Sequence, residues 1–142
     1  MTMAEPVSAV VALATVSLAI IKRTAIFIQD ARDVDTLVLK LFETLRDLRR
    51  LIKTVDTTCR RATSTDDDPS RFIEHALIRC HSRLEAVEGI VKDLASRSTS
   101  TFLKKVALKI RSDRSRKEIE EAISDLNRLM DQIHKGISCW SL

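Results

Sequence analysis

The chain has 142 residues, enough for one domain, 1–142, with a core of its own. Two Gly, two Pro and no Tyr leave little material for turns or strands, and three Cys without a paired spacing describe neither a disulfide framework nor a zinc site. The net charge of +4 conceals a local excess, because Arg97 to Lys117 holds eight bases against the single acid Asp113. Basicity confined to one element suggests an anionic partner for that element rather than a generally cationic surface.

The first element is the most unusual. From Pro6 to Ile21 there is no charged residue, and the run stops at Lys22-Arg23. Val7, Val10, Val11, Leu13, Val16, Leu18, Ile20 and Ile21 point all round a helical cylinder, so the helix must be buried in protein or in lipid. The uncharged run falls short of the roughly twenty residues that span a bilayer. Pro6 suits a first-turn position, and the helix is expected to run to about Asp30, at the centre of a bundle or in a groove between other helices. Ser8 and Ser17, as polar positions, are expected to face away from the deepest core. The segment preceding the run, Met1 to Glu5, carries an acid and no base, and no small-residue cleavage site follows, so the run does not read as a secretory signal.

The next three long elements are plainly amphipathic. Val34, Leu37, Leu41, Leu45, Leu48, Ile52, Val55 and Cys59 step by three and four, which predicts a helix over 34–61. Thr63 to Asp68 is a loop, and Asp68-Pro69 reads as a cap followed by a first-turn proline. Ile73, Leu77, Cys80, Leu84, Val87, Val91 and Leu94 carry the third helix to a second loop, Ser96 to Thr101. The spacing of Leu103, Val106, Ala107 and Ile110 predicts a short helix over 102–111 with Lys104, Lys105, Lys109 and Arg111 around its other face. Ser115-x-x-Glu118 has the form of a capping box opening the last helix, whose stripe is Ile119, Ile123, Leu126, Met130, Ile133 and Ile137. Nothing alternates with period two. The fold class is all-α: an up-and-down four-helix bundle with an additional short basic helix. Leu41, Leu48, Leu77, Leu84, Leu126 and Ile133 are expected to share its core.

Catalysis finds no footing. His75 and His81 lie on different sides of one helix, and Cys80 and His81, being adjacent, point about 100° apart. Glu118, Glu120 and Glu121 sit where acids complement a helix N-terminus. No phosphate loop, metalloprotease helix or nucleophile elbow occurs, so the chain reads as a non-enzyme without cofactor or metal. One Trp and four Phe offer few stacking platforms, which sets nucleic acid aside as a partner. The basic segment 102–111, continued by Arg114, Arg116 and Lys117, reads either as a solvated face or as a contact for anionic lipid. The free cysteines on apolar stripes fit a reducing, cytoplasmic compartment.

The opening Met3-Ala-Glu-Pro-Val-Ser-Ala-Val, the Leu45-Arg-Asp-Leu-Arg-Arg-Leu stretch and Phe102-Leu-Lys-Lys-Val-Ala-Leu-Lys before Arg116-Lys-Glu-Ile-Glu resemble the fungal HeLo-like N-terminal domains of STAND-type immune receptors. This group is also named after protein L of the azaphilone pigment cluster, and it is similar to the N-terminal bundle of the mixed-lineage kinase-like pseudokinase. The resemblance implies a non-enzymatic effector of fungal programmed cell death and heterokaryon incompatibility, a form of fungal innate immunity. Such domains self-associate and move from the cytoplasm to the plasma membrane on activation, attacking it with the N-terminal helix. The membrane-inserting residues would then be Val7, Val10, Val11, Leu13, Val16, Leu18, Ile20 and Ile21. Anionic lipid would meet Lys104, Lys105, Lys109, Arg111 and Arg114, and a STAND-type receptor could act in trans. The alternative is a soluble helical adaptor, or an accessory protein of a secondary-metabolite cluster, working by protein contacts without insertion.

Overall fold

Steps of three and four along the chain become four helices. The computed structural model describes residues 5–61, 67–96 and 107–140, with side chains over 9–61, 71–96 and 107–139. Helix α1 spans Glu5–Gln29, α2 Thr36–Arg61, α3 Asp67–Ser96 and α4 Asp113–Trp140. Two strands of two residues lie in the connections, β1 (Asp33–Val34) and β2 (Ala107–Leu108), and pair in parallel with Asp33 opposite Ala107 and Val34 opposite Leu108. Helix α1 packs on α2 and α3, and α4 packs on the same two, so α1 stands across the bundle from α4. Successive helices alternate in direction. Arg23 and Glu88, both toward the C-terminal ends of α1 and α3, meet across a parallel pair, whereas Gly136 near the end of α4 lies against Ile73 near the start of α3.

Buried apolar residues from all four helices form one cluster, and Leu41, Leu48, Leu77, Leu84, Leu126 and Ile133 are all within it. Burying a side chain of this size removes it from water at a gain of about 1.5–3 kcal/mol, so these stripes drive the fold. The caps differ in detail from the sequence pattern. Asp35 opens α2 by accepting the Leu37 N–H on Oδ1 at 3.1 Å. Helix α4 begins at Asp113, and its cap is Ser112 rather than Ser115: the Ser115 N–H donates to Ser112 Oγ at 3.1 Å. Ser115 occupies the third helical position, where its own hydroxyl accepts from Ser112. The Asp68 cap lies outside the described side chains, and α3 starts one residue earlier, at Asp67.

Helix α1 is one side of a four-sided bundle, neither central nor sunk between the others. The reason is its buried stripe, Val10, Ala14, Ser17, Ile20, Ile21, Thr24 and Ile28, which supplies a single seam along one side of the helix. The short basic helix expected over 102–111 is also corrected. Over the described part, residues 107–108 are extended and 109–111 are not helical. Long-range pairing overrides the local period here: Leu108 is fully buried among the helices, and its carbonyl accepts the Asp35 N–H at 2.9 Å. Residues 102–106 lie outside the described residues.

Candidate functional site

The apolar residues of α1 divide by face. Val10, Ile20 and Ile21 are buried, Val11, Leu13 and Leu18 are half-buried, and Val16 is exposed; the side chain of Val7 lies outside the described set. Most of the large apolar side chains face inward, with two exceptions in each direction. Ser17 and Thr24 are almost wholly buried, and neither hydroxyl has a hydrogen-bond partner among the described residues. Val16 and Ile26, by contrast, expose 44% and 45% of their surface. The expectation that Ser17 faces away from the core is therefore overturned: its spacing of three from Ala14 and four to Ile21 fixes it on the seam. Between residues 9 and 21 the exposed positions are Ala12, Thr15, Val16 and Ala19, none of them charged.

Length changes the membrane arithmetic. The helix continues through Lys22 and Arg23, so that Ala9–Gln29, 21 residues, is long and apolar enough to cross a bilayer by length and composition. Of its most apolar window of 18 residues, only 33% is buried in the bundle.

The predicted basic docking residues are less available than their density suggested. Lys109 Nζ lies 3.2 Å from Asp33 Oδ1 across the β1–β2 pair, and Arg114 Nε lies 3.7 Å from Glu118. Arg116, from the first turn of α4, reaches Asp35 Oδ2 at 4.0 Å. The acids of the α1–α2 connection thus neutralise part of the basic segment and tie the two connections at one end of the bundle. Arg111 is exposed, and Lys104 and Lys105 lie outside the described residues.

A groove of about 500 Å³ between α1 and α2 has a different character. Ile21, Ala25, Ile26 and Phe42 form its apolar wall, Lys22, Arg46 and Arg49 its cationic edge, and no acid lines it. Positions 22, 26 and 29 share one face of α1, and 42, 46 and 49 share one face of α2. The Arg46 guanidinium stands 6.0 Å from the centroid of the Phe42 ring. The sequence shows both stripes, but which face of α2 meets α1 is settled only by packing. A second groove of about 610 Å³, between α3 and α4, is lined by Arg79, Arg83 and Arg128 around Asp125. Its charge is largely committed, since Arg83 and Arg128 both pair with Asp125, the latter at 2.8 Å.

Burial pushes the Cys59 thiol up to about 11 and Cys80 up to about 12, which keeps both protonated and inert. His81 Nδ1 lies 3.7 Å from Glu85, one turn along its own helix. Among the described residues no group of three or more His, Cys, Asp or Glu could hold a metal ion. Comparison with protein-family models, curated proteins and solved structures finds no match.

Proposed function

We propose that this bundle is a membrane-targeting effector of the cell-death kind, acting through α1 and without catalysis. One observation carries the reading: α1 packs Ser17 and Thr24 into the core and leaves Val16 and Ile26 in water. A helix selected only for folding would place its largest apolar residues on the seam and its hydroxyls outside. Here the outward face is uncharged from residue 9 to residue 21, while two hydroxyls of the inward face lack a partner among the described residues. Both properties favour a helix that is stored in the bundle and used elsewhere. Self-association would follow once α1 has left its seam, because the vacated faces of α2 and α3 are apolar. The role in fungal incompatibility belongs to the resemblance in Met3 to Val10 and the two later stretches, and joins the proposal on that basis.

The test is dye release from vesicles by the purified chain, with neutral and with anionic lipid. Val16→Glu replaces an exposed side chain, so helical circular dichroism and melting should stay close to wild type. An ionised acid near the centre of a membrane helix costs about 2.5–3.5 kcal/mol on insertion scales, so leakage should be lost. Leakage by neither wild type nor variant under any lipid condition sinks the effector reading and leaves the adaptor.

A further inference from the structure

We infer that the fold is built as two cooperative units. Helices α2, α3 and α4 and the β1–β2 ladder form a remainder that stays folded when α1 leaves, and α1 turns away about a hinge at Ala31–Arg32. The inference rests on the release of α1 in the reading above, and adds where the chain bends and what is left behind.

The packing points to it first. Helix α4 lies against both α2 and α3, so these three remain joined without α1. The polar contacts divide in the same way. Arg83 of α3 pairs with Asp125 of α4, Arg116 of α4 reaches Asp35 at the head of α2, and Lys109 meets Asp33 across the ladder. Helix α1 is joined to the rest by the Arg23–Glu88 contact. The inward faces also differ in quality. From Ile119 to Ile133 the buried side chains of α4 are all apolar, whereas the seam of α1 carries the hydroxyls of Ser17 and Thr24 without a partner among the described residues. A buried polar group left unpaired forfeits the hydrogen bonds it made in water, so this seam parts more readily than the α3–α4 contact. The reverse division, with α4 leaving and α1 staying, would break the Arg83 and Arg116 contacts and expose a wholly apolar face.

The backbone places the hinge. The Asp30 N–H donates to Ile26 O at 2.9 Å and the Ala31 N–H to Ile28 O at 3.2 Å, so these two amides belong to the end of α1. From Asp33 onward the chain belongs to the ladder: the Asp35 N–H donates to Leu108 O at 2.9 Å, and Leu108 is fully buried. The change of sides falls at Ala31–Arg32, where Arg32 is exposed. Rotation of the backbone there keeps both sets of hydrogen bonds and gives up only the seam and the Arg23–Glu88 contact.

The experiment is hydrogen exchange of the full chain in water, without lipid, resolved amide by amide by nuclear magnetic resonance. In wild type the amides from Val10 to Ile28 should be protected as one group, about tenfold or more below those of Leu41 to Ile52 and Ile119 to Ile133. The Asp35 amide should exchange with the slow group. Leu129 lines the groove between α3 and α4. Leu129→Ala, or the milder Ile123→Val if that variant does not fold, should speed the slow group and leave the α1 amides within about twofold of wild type, because the opening of α1 keeps the remainder whole. Equal protection of α1 and α4, or α1 amides that speed up together with the slow group, overturns the two units. An Asp35 amide that exchanges with α1 overturns the hinge. Dye release from vesicles is read separately. A separately opening α1 without leakage upholds the two units and sinks the effector reading, whereas leakage with α1 and α4 equally protected does the opposite.

Discussion

The two glycines meet opposite surroundings. Gly136 sits in α4 where an added Cβ would come within 2.5 Å of Ile73 Cγ1 and 3.2 Å of Phe72 Cδ2. Ile73 is fully buried, and Cγ1 is not the free end of a side chain, so the contact cannot be relieved cheaply. Gly136→Ala gains about 1 kcal/mol of helix propensity and loses about 1–3 kcal/mol to overpacking, for a net loss. Gly89, in α3, has nothing within 4 Å of the same construction, so Gly89→Ala keeps the propensity gain of about 0.5–1 kcal/mol. Thermal melts of the two variants should therefore move in opposite directions from wild type. Leu84 shows the third kind of site. It is 1% exposed and belongs to the central cluster, so Leu84→Ala should cost about 2–5 kcal/mol in urea unfolding, through lost transfer energy and the cavity left behind.

Among the elements, α2 and α3 also expose large apolar side chains, Leu39, Phe72 and Ile78, but the two buried hydroxyls without a partner among the described residues both lie in α1. Each unpartnered buried hydroxyl on its seam costs about 1–3 kcal/mol. Ser17→Ala and Thr24→Val remove the hydroxyls with little change of shape, so each should stabilise the chain by about 1 kcal/mol and raise Tm by about 3 °C. If α1 must leave the seam to act, the same variants lower the released population about fivefold each, and vesicle leakage should slow as Tm rises. Leakage that keeps pace with stability instead would separate α1 from the activity. Helices α2, α3 and α4 were legible because their apolar stripes and their burial coincide: Leu41 to Cys59, Ile73 to Leu94 and Ile119 to Ile133 all face inward. In α1 every face is apolar, so periodicity could not say that Ser17 goes inside and Val16 outside; only the partner surfaces decide that. The segment Ala107–Ile110 failed for the opposite reason. Its local period is helical, yet the ladder to Asp33 and Val34 and the buried site for Leu108 outweigh it. The groove cations were missed because Lys22 and Arg46 come together only through the antiparallel packing of α1 on α2.

At the scale of the molecule, α1 is clasped to α3 by a two-pronged ion pair, with Arg23 Nε 3.0 Å from Glu88 Oε2 and Nη2 3.2 Å from Oε1. Lys92 stands 3.9 Å from the same carboxylate. The hydrogen bond from Arg23 holds the Glu88 carboxyl below the usual range; burial opposes it as the next largest influence, and the charges of Arg23 and Lys92 each add a smaller lowering. A carboxyl that titrates lower in the folded chain than in the unfolded one stabilises the fold fully above the unfolded pKa, about 4.3 for Glu. That contribution declines as pH falls below this value and is gone once the pH has passed the lower, folded value. Neutral and mildly acid conditions therefore keep the clasp closed, and only stronger acid opens it. Glu88→Gln removes the carboxylate at every pH, so the variant should melt lower than wild type at pH 7, and the gap should shrink below pH 4. If the clasp also keeps α1 in store, Glu88→Gln should release dye from anionic vesicles faster at pH 7, whereas the wild type should reach that rate only in acid. Arg23→Glu/Glu88→Arg restores an ion pair at the same place with its polarity reversed. Leakage returning toward the wild-type rate in that double variant ties the storage of α1 to this contact, and leakage that stays fast shows that the rest of the seam, not the clasp, holds the helix.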